Sequence, residues 1–138
     1  MRSITFILLL ITGLGCAGTK NANMKSNELN GTWVPVQQEL GGTAMPKAVL
    51  DIQKLTIHDT TYTLVAESVD KGVLTYGGGK MDIYGKEGTN AGKHFPAIYK
   101  LENGQLIICY NLKGDGYPEK FETKGKPLYF LSVFKKEK

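Results

Sequence analysis

From Leu29 onward the sequence is divided into short runs rich in β-branched and aromatic residues, with turn residues recurring at intervals of roughly 8 to 15 positions. That is the punctuation of an antiparallel meander. Eight strands are expected, near 32–39, 54–58, 61–66, 72–76, 80–84, 94–101, 105–111 and 128–135. Several turns specify their own geometry. Asn103-Gly104 is the pair a type I′ hairpin needs, because both central residues take positive φ there. Gly77-Gly78-Gly79 permits another sharp reversal, and Asp59-Thr60 leaves room only for a tight turn. One short helix is expected near residues 46–51, with Pro46 in its first turn ahead of Lys47, Ala48, Val49 and Leu50. It is placed to lie across one end of a sheet or barrel, with Val49 and Leu50 facing in.

Alternation separates two kinds of strand. Leu55 and Ile57 alternate with Thr56 and His58, and Tyr62, Leu64 and Ala66 alternate with Thr63, Val65 and Glu67, as in strands with one wet face. The runs 106–110 and 128–134 are apolar on both faces. One face of each packs the core, so the other must meet the helix, a neighbouring loop or a partner. Eight antiparallel strands joined by sequential hairpins close most economically as an up-and-down barrel, which also removes exposed edges. The expected fold is therefore all-β, an eight-stranded antiparallel barrel with one short helix. Such a barrel can fill its interior with side chains or hold one small ligand.

Ahead of this domain, Arg2 precedes an apolar run from Ile4 to Ile11, and the segment closes with Thr12-Gly13-Leu14-Gly15-Cys16. A cationic start, an apolar stretch too short for a transmembrane helix and small residues at the end make an export signal. A cysteine directly after Leu14-Gly15 resembles the lipobox of bacterial lipoproteins, although Gly13 stands where that family usually has Leu. The resemblance implies cleavage after residue 15, a diacylglycerol on the Cys16 sulfur and further acylation, typically by palmitate, for about three acyl chains in all, enough for stable anchoring. Ordinary secretion, with cleavage after Gly15 or Ala17, is the alternative. The organisation expected is a signal peptide over 1–15, a lipidated cysteine and polar tether over 16–28, and one barrel domain over 29–138. Without an acidic cluster after Cys16, a periplasm-facing position in the cell envelope is the default.

Composition excludes some partners. The formal net charge is +4, yet every basic residue after Arg2 is lysine. The exported chain thus lacks the planar fork that grips phosphate and carboxylate, so no nucleic acid is expected as a partner. If Cys16 carries lipid, Cys109 has no disulfide partner, and its place in Leu106-Ile107-Ile108-Cys109-Tyr110 points to the core. A monomer is expected.

Catalytic signals are weak. His58 and His94 are the only histidines, no third group marks a base beside Ser68 or Ser132, and no spacing of His and Cys suggests a metal site. No cofactor and no enzymatic activity are expected. Gly85-Lys86-Glu87-Gly88-Thr89-Asn90-Ala91-Gly92-Lys93 carries the glycine and lysine of a phosphate loop but not its spacing, and reads as a long flexible hairpin loop. Gly114-Asp115-Gly116 reads as a turn. The aromatics are numerous enough to line a cavity, with Trp33, Tyr62, Leu64 and Tyr99 as its candidate wall.

Asn30-Gly31-Thr32-Trp33 resembles the Gly-x-Trp signature of lipocalins. With Leu55-Thr56-Ile57, Tyr62-Thr63-Leu64, Gly92-Lys93, Ile98-Tyr99-Lys100-Leu101, the run 105–111 and Pro118-Glu119-Lys120-Phe121, residues 29–138 resemble an uncharacterised lipocalin-like domain first noted in planctomycete proteins. The resemblance implies a calycin-type barrel in a bacterial envelope protein, without an established activity. In lipocalins an arginine of the last strand covers the signature Trp; here Lys135 or Lys136 must substitute. The expected function is a non-enzymatic envelope lipoprotein that binds a small apolar or amphipathic ligand. The alternative is a protein-interaction module, such as an inhibitor, immunity or assembly factor, with a filled barrel and an envelope protein as partner. An open interior favours the first; a filled one with a bare patch near Ile107 or Leu131 favours the second.

Overall fold

The computed structural model describes residues 27–138; the segment expected as signal peptide, Cys16 and the expected tether as far as Ser26 lie outside the described residues. The elements are β1 (Gly31–Leu40), β2 (Thr43–Ala44), α1 (Lys47–Asp51), β3 (Lys54–His58), β4 (Thr61–Val65), β5 (Val69–Gly77), β6 (Lys80–Glu87), β7 (His94–Glu102), β8 (Gln105–Asn111) and β9 (Tyr129–Lys136). From β3 to β9 each strand pairs with the next in antiparallel sense, and β1 pairs with both β3 and β9. The eight long strands thus close into an up-and-down barrel. The two-residue β2 is a stub on the end of β1, held by Glu39↔Ala44 and Leu40↔Thr43.

The turns follow the residues that specify them. Asn103 and Gly104 have φ of 53° and 74°, and Gly78 and Gly79 have 60° and 81°, the left-handed pairs that a two-residue hairpin requires. Asp59, at φ 54°, makes the β3–β4 turn, and its backbone N–H donates to the Asn30 side chain at 2.8 Å. These turns, with the start of β1 and the end of β9, form one end of the barrel. The other end carries the longer connections, 66–68, 88–93 and 112–128.

Two differences from the sequence reading have physical causes. β5 begins at Val69 rather than at position 72, because Val65↔Val69 and Leu64↔Asp70 continue the ladder to β4. The helix does not lie across a barrel end: α1 packs against β1, where that strand has left β3 after Trp33↔Leu55 and bulges between Pro35 and Gln37. Leu50 is buried there and Val49 half-buried, while Gln53, just beyond the helix, exchanges amide hydrogen bonds with Gln38 at 2.8 and 2.9 Å.

The second apolar face of β8 and β9 meets a neighbouring loop. Residues 112–128 form a strap across the outside of the barrel. The Tyr117 hydroxyl donates to Asp82 of β6 at 2.6 Å, Lys100 of β7 lies 4.6 Å from the Phe121 ring centroid, and buried Thr123 donates to Glu39 of β1. Beneath the strap Cys109 is fully buried. Burial pushes its thiol up to about 11, against a backbone hydrogen bond from Glu122.

Candidate functional site

Residues directly opposite in antiparallel strands point to the same side of the sheet, so the ladders define the inner wall. Around the hairpin end that wall is full. Leu29 and Trp33 are buried beside Leu106, Met81, Ala97 and Phe134, with Tyr76 and Tyr99 packed edge-on at 5.6 Å. The Trp33 indole N–H donates to the Leu29 carbonyl at 2.8 Å, and the Leu29 N–H donates to the Tyr76 hydroxyl at 3.3 Å. Lys136 of the last strand holds its ammonium 5.6 Å from the Trp33 ring centroid.

Toward the opposite end the inner wall encloses open space. Leu55, Leu64, Ile83, Phe95, Tyr110 and Phe130 line a cavity of about 480 Å³ that reaches down to Ile57, Leu74, Met81 and Ile108. Its size is that of a small-molecule site, and its walls are mostly apolar. The mouth lies among the longer connections, where Leu40, Val65, Val69 and Leu128 are exposed.

Five polar side chains belong to the same wall: Tyr62, Asp70, Asn90, Lys93 and Tyr110. Burial, with a smaller contribution from the Asp70 charge, raises the Tyr62 phenol above its ordinary value. Burial likewise pushes the Tyr110 phenol up, with Tyr62 and Cys109 adding. Both phenols therefore stay neutral at physiological pH and can donate or accept a hydrogen bond.

The connection 88–93 is built inward rather than left as a flexible hairpin loop. Gly92 N–H donates to the Gly85 carbonyl at 3.0 Å, Gly85 N–H to the Lys93 carbonyl at 2.9 Å, and Asn90 N–H to the Asp70 carboxylate at 3.1 Å. A side chain at Gly85 would collide with the Asn90 carbonyl, so glycine is what lets this segment fold back over β6 and bring Asn90 and Lys93 to the mouth.

Of the candidate wall residues, Tyr62 and Leu64 line the cavity, and Trp33 and Tyr99 belong to the packed end. All four face inward; position along the strand separates them. The lining residue that matters most beyond these, Asp70, carried a signal. It stands in phase with Gly72, Leu74 and Tyr76 on the inner face of β5, a carboxylate on an otherwise apolar stripe.

The remaining polar groups lie elsewhere. His58 is exposed, and His94 stacks on Tyr84 at 4.6 Å and bonds Asp82 at 2.7 Å, on the outer face where Tyr117 pins the strap. Ser132 is buried against Gln38, Ser68 pairs with Thr89, and Asp115 accepts a hydrogen bond from Asn111 in the turn at 114–116. Among the described residues no group of three His, Cys, Asp or Glu side chains is placed to hold a metal ion. No family model, curated protein or solved structure matches this chain. The functional reading therefore rests on the barrel's own geometry.

Proposed function

We propose that this chain is a non-enzymatic, membrane-anchored binding protein of the bacterial cell envelope, with a lipocalin-like barrel that holds a small apolar or amphipathic ligand. The observation that carries the reading is the cavity of about 480 Å³, walled by apolar side chains and open at one end of the barrel. An interaction module was expected to have a filled barrel and a bare face on β8 and β9. Here the barrel encloses a cavity, and the strap 112–128 lies over that face, with Cys109 fully buried and Ile107 and Leu131 half-buried. The packed end supports the lipocalin-like part of the proposal: Trp33 seals it, and Lys136 takes the covering position that an arginine holds in lipocalins. The lipobox-like Leu14-Gly15-Cys16 supports anchoring through Cys16.

Native mass spectrometry of the protein purified gently from its own envelope, beside a delipidated and refolded sample, tests the binding role. The expected result is a reproducible extra mass of a few hundred daltons that refolding removes and envelope extract restores. Leu64→Trp, which fills the cavity from its own wall, should abolish that mass and leave stability within about 1 kcal/mol, since the added ring enters space that is already empty. A bare protein that takes up nothing from extract sinks the binding role. Labelling with radioactive palmitate tests the anchor: label should enter the native chain and be absent from Cys16→Ser.

A further inference from the structure

The cavity has a chemical asymmetry that narrows the ligand beyond the binding role proposed above, on which this inference rests. Asp70 is only 6% exposed, yet it is a wall residue of an apolar chamber. One of its oxygens accepts the Asn90 N–H at 3.1 Å. The other accepts no hydrogen bond from any described residue. Among the described residues, no fully enclosed side-chain oxygen or nitrogen lacks a partner, so this second oxygen is not sealed off, and the residue that carries it lines the cavity. A buried carboxylate with an unused acceptor is expensive unless something donates to it.

Its surroundings favour a cationic donor. The neutral phenols of Tyr62 and Tyr110 line the same space, offering hydroxyls and the negative faces of their rings. Both lie within electrostatic reach of their neighbours, Tyr62 of Asp70 and Tyr110 of Tyr62. Lys93 also lines the cavity, but it is exposed and makes no ion pair among the described residues, so solvent and salt screen it. An anionic head group drawn in by Lys93 would bring a second negative charge into the chamber that already holds Asp70, and like charges in one apolar site repel. An ammonium head group meets the opposite situation: the open oxygen gives it a charge-assisted hydrogen bond, and the apolar walls take its tail.

We infer that the barrel binds an amphipathic amine: a molecule with an apolar body and a protonated amino group that donates to the open oxygen of Asp70, beside Tyr62 and Tyr110.

Titration calorimetry on the full chain with decylamine, decanol and decanoate, at neutral pH and below micelle-forming concentrations, tests this. Decylamine should bind about tenfold or more tightly than decanol, and decanoate most weakly. Decyltrimethylammonium, which keeps the charge but donates no hydrogen bond, should fall between decylamine and decanol. Asp70→Asn should erase the advantage of decylamine over decanol. The wild-type series decides the matter alone if that variant does not fold. Equal affinities across the series, or decanoate binding best, overturn the amine assignment while leaving the binding role standing. Failure of all the alkyl probes to bind the wild-type chain, with Leu64→Trp indistinguishable from it, overturns both.

Discussion

The two ends of this barrel are built from the same eight strands with the same in-and-out alternation, yet one is packed solid and the other encloses a cavity. At the hairpin end the inner wall presents Trp33, Met81, Leu106 and Phe134, and Leu29 enters from outside the strands to close the remaining gap. At the loop end the inner wall presents Gly72, Asp70, Gly85 and the Gln38–Ser132 pair among its larger residues, and no further segment among the described residues fills the axis. An eight-stranded barrel has an interior that side chains can just fill, so the balance between a core and a site turns on a few residue volumes. The comparison teaches that close packing and open space are divided along the barrel axis, with the packed end supporting an open one.

The largest effect expected from breaking this division is at Trp33. Trp33→Ala removes the main filler of the packed end together with its hydrogen bond to Leu29, and should cost about 3–5 kcal/mol in denaturant unfolding. A loss below about 1 kcal/mol would mean that the packed end does not carry the fold.

Alkaline pH probes the covered outer face. The Cys109 thiol is raised from an ordinary 9.0 to about 11, so the folded chain keeps its proton longer than the unfolded chain does. The stability this supplies is complete below pH 9.0 and is lost as pH rises through about 11. The loss should be on the order of 2 kcal/mol and should shrink in Cys109→Ala. At neutral pH a thiol reagent should label Cys109 only as fast as the protein opens.

Gly85→Ala sharpens the comparison at the mouth. Its methyl group would meet the Asn90 carbonyl, so the 88–93 connection must shift outward, at about 1–3 kcal/mol. Amide exchange should quicken at Asn90 and Gly92 and stay unchanged at Trp33 and Leu106. Equal change at both ends would show that the halves are not independent. The smallest effect is at Lys136, an exposed residue beside Trp33, where Lys136→Ala should cost about 0.5–1 kcal/mol and alter the Trp33 fluorescence.

Much of the fold is legible in the chain because local chemistry decides it. Asn103-Gly104 and Gly78-Gly79 can adopt the left-handed pairs of tight hairpins, and the alternating runs around Leu55 and Tyr62 show one wet face. The doubly apolar runs of β8 and β9 announced a cover, and the strap supplies it. The site is less legible. Tyr62 and Leu64 can be picked out as wall residues, but Trp33 and Tyr99 share their inward phase and differ only in height along the axis. Asp70 looks like a turn residue until its pairing with Leu64 extends β5 backward and turns the carboxylate inward.

By itself, then, the sequence determined the strands, their order, their turns and which strands would need covering, since each depends on neighbours within a few residues. Tertiary structure alone decided which half of the barrel is filled, where α1 seats, and that Asp70, Asn90 and Lys93 meet at one mouth. Those outcomes depend on strand stagger, on the path of the 88–93 connection over Gly85, and on how much of the enclosed volume the side chains from all eight strands take up together. A period of two sorts residues into faces; only closure of the barrel gives those faces a depth.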